Sequence, residues 1–504
     1  MSQHVDEATE GPGDRPAPSA ATEPKPTESV FAGPYRTLTL GVVLSVGMVA
    51  FESLGVATVL PDIARKLDGL GAYGWGLSAL MLANIIGTVL AGRSADRVGP
   101  WRAAMTGMAV FALGCAVAGA ATSWPLFLLG RFAQGLGVGA VMAVAYTVIG
   151  LAYPQDLRAR MFALLSSAWT IPSLIGPVLA GTLADATTWR AVFLLMLPLI
   201  AIAAVLTLPG LRKLNRPRNA GAVPGAVPAP AGVPALPWWK GPLTGAVLLT
   251  AGTGLLLQAL LLKNFALLVP LALLGVAIAV PALRQVTPKG TLGARPGPGA
   301  GIVIRGLLCG VYFGSEAFLP LGLQELHGVS AAQAGLGLSA GAITWVVGSA
   351  LQAKRDGRNQ GSRTGSVALG FVVLLAGVAV IALAILVEAV PSWIAVVGWG
   401  IGGIGMGIGF NAATTDTMEQ APAERQGEVS GALQLAQTLA TGLIAGLGGA
   451  AIAIAQHYDA DIRTALFGIF ALTGALALSG VLLARRLRPA PTAADAVGSR
   501  PHGI

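Results

Sequence analysis

Glu52, Glu316 and Arg131 are ionisable side chains set in apolar surroundings. Glu52 interrupts VGMVAFESLGVATVLP (46–61), Glu316 lies within GVYFGSEAFLPLGLQ (310–324), and Arg131 opens RFAQGLGVG (131–139). Placing an acidic side chain at the centre of a membrane span costs roughly 2.5–3.5 kcal/mol, so residues of this kind usually carry a function. Desolvation disfavours the charged form of a carboxyl. A glutamate in such a setting can therefore load a proton from one side and release it to the other. Glu52 is the candidate proton carrier, and Glu316 is a second candidate for a proton or a cationic guest. Arg131 carries a permanent charge, which needs a carboxylate or several carbonyls. It is placed to tune Glu52 by proximity. The structural alternatives are an interhelical hydrogen bond for either acid and snorkelling to the interface for the arginine.

The elements that must hold these residues are membrane spans. The chain has 504 residues, of which 54% are hydrophobic and 11% charged, against about 25% charged in soluble proteins. Apolar blocks long enough to cross a ~30 Å hydrocarbon layer recur throughout. Blocks of that length cross as helices, which satisfy their own backbone. Fourteen blocks qualify, the fifth at 161–184 and the ninth at 302–325. The fold class is all-α and polytopic, with no large soluble domain. The predicted order is a polar tail (1–35), six spans (36–210), a proline-rich linker (211–240), a two-helix hairpin (241–286), six further spans (301–488) and a second tail (489–504).

Positive charge supports the count. With both tails cytoplasmic, 26 of the 32 Lys and Arg fall on the inner side, Arg305 among them. Five (Arg65, Lys66, Arg190, Lys263 and Arg463) fall outside, and only Arg131 lies deep in a span. That asymmetry follows the positive-inside rule, so the net charge of +9 needs no nucleic-acid partner. The first tail lacks the basic start, apolar middle and cleavage site of a signal peptide. Cys115 and Cys309 both fall in apolar spans and read as packing residues. His4, His327, His457 and His502 lie in tails and loops, so neither a metal site nor an enzyme is expected. No G-x-x-x-x-G-K-[ST] occurs, which argues against ATP as the drive.

The two six-span blocks share a weak repeat. GLSALMLANIIGTVL from Gly76 matches GLSAGAITWVVGSAL from Gly337, keeping Gly87 and Gly348 in register. GLGVG from Gly135 matches GIGMG from Gly403, which puts Trp399 where Arg131 stands. Repeats of this type mark transporters built from related halves.

Several first-half motifs resemble the major facilitator superfamily. GRSADRVGPWR (92–102) is similar to its loop motif between helices two and three. RFAQGLGVG looks like its helix-four motif. PSLIGPVLAG (172–181) resembles the Gly-Pro motif of the fourteen-helix drug:proton antiporters, and Glu52 with Pro61 matches their first-helix motif. The resemblance implies two six-helix halves plus a central hairpin, working as a monomer in the cytoplasmic membrane, and composition hints at a bacterial source. It implies export of lipophilic or amphiphilic compounds in exchange for protons, with no other cofactor. It ties Arg131 to proton coupling, makes Gly92, Asp96, Arg97 and Gly99 a conformational latch, and makes Pro172, Gly176, Pro177 and Gly181 a flexible seal. Asn84, Gln134, Tyr146, Trp169, Tyr312, Trp345, Asn411, Gln434 and Gln437 are the polar or aromatic residues left to line a cavity, because lipid-facing amides are disfavoured. Importers, carriers of one metabolite or lipid, and a non-transporting sensor or scaffold are the rival readings.

Overall fold

The computed structural model describes residues 29–33, 35–214, 241–262, 264–358, 363–422 and 425–487. Among them the regular structure is helical. The first half comprises α1 (Arg36–Lys66), α2 (Trp75–Val98), α3 (Pro100–Gly119), α4 (Trp124–Ala152), α5 (Gln155–Ser167), α6 (Thr170–Ala186) and α7 (Arg190–Leu214). A hairpin follows, α8 (Pro242–Ala259) and α9 (Phe265–Val286). The second half comprises α10 (Pro298–Glu316), α11 (Leu319–His327), α12 (Ala331–Arg358), α13 (Thr364–Leu386), α14 (Ile394–Glu419), α15 (Gln426–His457) and α16 (Ile462–Leu483). Most of the proline-rich linker and most of both tails lie outside the described residues.

Thirteen segments are each long and apolar enough to cross a membrane. The fourteenth crossing is made by α5 and α6 together, each too short on its own. The expected fifth span is thus two helices, broken at Ala168–Trp169. Pro172 explains the break, because its ring cannot accept the carbonyl four residues back, that of Ala168. Span nine breaks similarly between α10 and α11, where Pro320 denies a hydrogen bond to the Glu316 carbonyl. Tyr73 Oη donates to Ala317 O at this break (3.2 Å), across the junction between halves.

The sequence repeat is a packing repeat. A Cβ on Gly87 would run into the Leu136 backbone of α4, and one on Gly348 into the Ile404 backbone of α14. Gly135 presses on Leu80 of α2 as Gly403 presses on Gly341 of α12. Small residues let these helix pairs approach within backbone contact, which drives association where lipid supplies no hydrophobic force.

The hairpin sits over the joint between halves. Thr250 Oγ1 donates to Leu82 O of α2 (3.0 Å), while Leu257 fills the space above Gly446 of α15. α9 lies outermost, with Leu267, Leu273 and Leu274 exposed.

Two seams join the halves, both at the end of the molecule opposite the chain termini. In one, Gly74 of the α1–α2 turn abuts Gly449 of α15, and Ser78 Oγ donates to Gly442 O (2.7 Å). In the other, Gly181 of α6 lies against Ala331, Gly335 lies against the Pro177 carbonyl, and Asp185 Oδ2 accepts from Ala332 N (3.1 Å). Gln324 of α11 ties the set to α1, donating to Thr58 O (3.2 Å) and accepting from Arg65 Nη2 (3.4 Å). Among the described residues no comparable packing runs on the termini side between α4 and α10 or between α5 and α12.

A Leu at Gly449 has no room beside Gly74, whereas each half stays intact. Gly449→Leu is expected to shift the population toward the state closed on the termini side. Spin labels at Arg102 and Glu428 should then report a shorter mean distance by pulsed electron resonance. An unchanged distance distribution would show that this seam does not control the opening.

Candidate functional site

Arg131 is set in the second turn of α4, one helical turn inside an aromatic plug. Trp124 stacks on Phe127 (centroids 5.1 Å), and Phe127 meets Trp189 and Phe193 edge-on (6.3 and 5.9 Å). The snorkelling alternative therefore fails: Arg131 is 1% exposed and turned inward. Its Nη1 donates to Glu52 Oε1 of α1 and to Gln134 Oε1 (2.9 Å), and its Nε donates to Gly76 O of α2 (2.8 Å). Gln134 Nε2 in turn donates to Cys115 Sγ of α3 (3.2 Å). Glu52 is likewise 1% exposed. One buried ion pair thus ties together the four helices α1–α4.

The second half has an aromatic stack in the matching place. Trp399 and Arg131 each stand four residues before the matched glycines Gly403 and Gly135. Trp399 stacks on Tyr312 of α10 (centroids 4.3 Å, planes 26° apart). Trp345 meets Tyr312 edge-on (5.2 Å) and also Phe410 (5.2 Å).

Glu316 is one turn beyond Tyr312, at the last residue of α10, and 6% exposed. No hydrogen bond or ion pair to its side chain is found among the described residues. The interhelical bond considered for it is absent there, and only the neighbouring Ser315 bonds across, to Thr473 (3.1 Å).

The remaining sequence candidates scatter. Gly92, Asp96 and Arg97 all lie within α2, and only Gly99 (φ 89°) makes the turn into α3. Gly92 is thus a helical residue, not a turn glycine. The Asp96 side chain falls outside the described residues, and Arg97 is exposed. Gly176 packs on Phe51, next to Glu52, and Pro172 lies near Gly47, so both hold α6 to α1. Pro177 and Gly181 face α12 instead. Trp169 caps the break before α6. Asn84 accepts from Thr88 (3.1 Å). Asn411 is half-buried, Gln434 and Tyr146 are exposed, and Gln437 accepts from Arg305.

Sequence reasoning misplaced Arg305. Counted there with the inner-loop charges, it is buried in α10 with its guanidinium over the Phe410 ring (3.4 Å). The available signal was GIVIRGLLCGVYFG (301–314), in which Arg305 has apolar sequence on both sides, as Arg131 does.

This geometry is that of a two-halved membrane transporter, and comparison with known proteins agrees. The profile of the Major Facilitator Superfamily matches residues 42–445. The chain is 27% identical over 459 residues to a "Probable multidrug-efflux transporter" of Mycobacterium tuberculosis, covering 89% of this chain and 94% of the relative. It is 27% identical over 168 residues to "Multidrug resistance protein 3" of Bacillus subtilis, covering 33% of each chain. Among solved structures, a bacterial homologue of the human lysosomal transporter Spinster, inward-facing and unoccupied, superposes with TM-score 0.61 at 16% identity. That match covers 90% of this chain and 98% of the other. The chain belongs to the Major Facilitator Superfamily. It is a multi-pass membrane transporter with relatives named for multidrug efflux.

Removing one partner of a buried ion pair strands the other charge, at a cost of about 3–5 kcal/mol, whereas replacing both by apolar residues is often nearly neutral. Arg131→Met is therefore expected to lower the unfolding temperature in detergent strongly. The double variant Glu52→Leu/Arg131→Met should recover most of it. A double variant no more stable than Arg131→Met would show that the arginine's bonds to Gly76 and Gln134 dominate instead.

Proposed function

We propose that the protein is a proton-coupled antiporter that exports lipophilic or amphiphilic compounds by alternating access across the cytoplasmic membrane of a bacterium, with both termini inside. The observation that carries this reading is the Glu52–Arg131 pair, because it is bonded or packed next to the helices of both seams. Arg131 holds Gly76, between the seam residues Gly74 and Ser78. Glu52 follows Phe51, which packs on Gly176 of α6, the helix of the other seam.

Protonation of Glu52 would remove the negative charge and leave Arg131 held by neutral acceptors alone. A ligand shifts a two-state equilibrium only through differential affinity for the two states. In the proposed cycle that ligand is the proton. It favours the state in which the pair is loosened and the seams part, and the ion pair favours the state seen here. Glu316 is the second carboxyl in the cycle. With no counter-charge beside it, an ionised form would be costly, so it is proposed to hold a proton or to meet a cationic guest. The aromatic stack of Tyr312, Trp345 and Phe410 suits an apolar guest, since such pockets are mainly hydrophobic and aromatic with few polar groups. Export, rather than import, is supported by the Gly-Pro motif of α6 and by the names of the relatives.

Proton release tests the reading. Protein in weakly buffered detergent is mixed with ethidium while a dye reports pH. Release is expected from wild type and should be lost in Glu52→Gln. Release retained in Glu52→Gln but lost in Glu316→Gln would move the exchanged proton to the second half. No release from wild type with any lipophilic cation would overturn the multidrug reading in favour of a carrier of one specific compound.

A further inference from the structure

The cation that the proton cycle leaves unused is Arg305. It sits about two turns into α10 from the termini side and is 7% exposed. Nη2 donates to Gln437 Oε1 of α15 (2.9 Å) and Nη1 to Thr414 Oγ1 of α14, with the Phe410 ring beneath. Each of these partners is neutral. Nε is buried and has no oxygen acceptor, with only the Cys309 thiol, a weak partner, beside the guanidinium. Among the described residues no carboxylate forms an ion pair with it. The contrast with Arg131, also buried and paired with Glu52, is sharp.

A buried charge is ordinarily paired, so the missing partner is informative. Two observations say where it would come from. Tyr146, on α4 of the opposite half and half-exposed, lies within electrostatic reach of Arg305, so the other half comes near the guanidinium here. Gln437 spends its carbonyl oxygen on Arg305, which leaves its amide N–H groups as further donors. From this point a chain of ring contacts runs inward from Phe410 through Trp345 to Tyr312 and Phe313.

We propose that Arg305, Gln437 and Tyr146 form a subsite for the anionic head of an amphiphilic substrate, a carboxylate whose apolar tail lies along the Phe410–Trp345–Tyr312 stack. A guanidinium presents paired N–H donors that match a carboxylate. The carboxylate would supply the acceptor that Nε lacks and the countercharge that the neutral partners cannot. The proposal rests on the export reading of the same cleft and narrows it, from lipophilic compounds in general to carriage of acids as well as cations.

The test is calorimetric binding in non-ionic detergent, using decanoate, decyltrimethylammonium and decanol as probes with the same tail. Wild type is expected to bind decanoate at least about tenfold more tightly than decanol, the range of a charge-assisted hydrogen bond. Arg305→Gln should lose that advantage while its affinity for decyltrimethylammonium stays unchanged. Arg305→Lys, which keeps the charge but not the fork, should fall between. Equal decanoate affinity in wild type and Arg305→Gln would overturn the proposal, as would wild type binding decanol as tightly as decanoate. Should Arg305→Gln fail to fold, the wild-type order of the three probes and the Arg305→Lys value decide. Ethidium-driven proton release separates the two readings. If it persists in wild type while decanoate binding ignores Arg305, the subsite fails alone. If it is absent while decanoate binding depends on Arg305, the multidrug antiport reading fails and the acid subsite stands.

Discussion

Neither Glu52 nor Arg131 can be buried alone. Each is 1% exposed, and an isolated charge in such a place costs several kcal/mol even after relaxation. The two must therefore enter the folded state together, from helices that are distant in sequence. The arginine makes the constraint stricter by also taking Gly76 O and Gln134 Oε1. Three donors in a planar fork fix α1 and α2 against α4, and Gln134 extends the tie to α3 through Cys115. The packing glycines follow from this. Gly135 and Gly139 bring α4 into backbone contact with α2, the separation at which Arg131 can reach the Gly76 carbonyl.

The second half shows what the same frame does without the charge. Glycines at matching positions hold α12 to α14, and the space taken by the ion pair is filled by Trp399 on Tyr312. Stacked rings supply packing and a modest attraction, but they do not respond to protons. The halves thus share a scaffold and differ in chemistry. The buried ionisable groups of α10 lie off the symmetric position, Glu316 one turn beyond the stack and Arg305 about two turns before it. Both sites lie where the helix is least regular or least compensated: Glu316 ends α10 beside the Pro320 break, and Arg305 has only neutral partners.

The parts legible in the sequence are those set by composition and short spacing. Span length, the hairpin between two six-span blocks and the repeat of Gly76–Leu90 in Gly337–Leu351 depend on apolar runs and glycine register, and these are local. The identity of Glu52 and Arg131 as unusual residues was also local, because an ion in an apolar run is visible without a fold. Their proximity was expected from the arginine's need for a carboxylate, but the further bonds to Gly76 and Gln134 were not, since they depend on how α4 rotates against α1 and α2. The breaks in spans five and nine were hidden for a different reason. Apolar content runs straight through Ala168 and Ala317, and only the prolines at 172 and 320 mark the lost hydrogen bonds. Arg305 was misread because its span was taken to begin at 302, so a charge three residues in looked interfacial. The helix in fact starts at Pro298 and the neighbouring α14 and α15 cover the side chain.

Opening and closing in this architecture need not distort either half. The contacts that would have to part lie at one end: Gly74 on Gly449, Gly181 on Ala331, Gly335 on Pro177, and the hydrogen bonds of Ser78, Gln324 and Asp185. Most of these are small residues and single polar bonds, with the buried Tyr73 ring against Phe318 (centroids 5.7 Å) and the Arg65–Glu325 ion pair (3.5 Å) beside them. Within each half the reverse holds. The Trp124–Phe127–Trp189–Phe193 plug and the Tyr312–Trp399 stack are large, buried and internal to one half. The Glu52–Arg131 pair acts on the anchor of α2 at Gly76 rather than on the seam contacts themselves. The hairpin fits the same logic. It bridges α2 and α15 by one hydrogen bond at Thr250 and by Leu257 over Gly446, so it covers the joint on one side through few polar contacts.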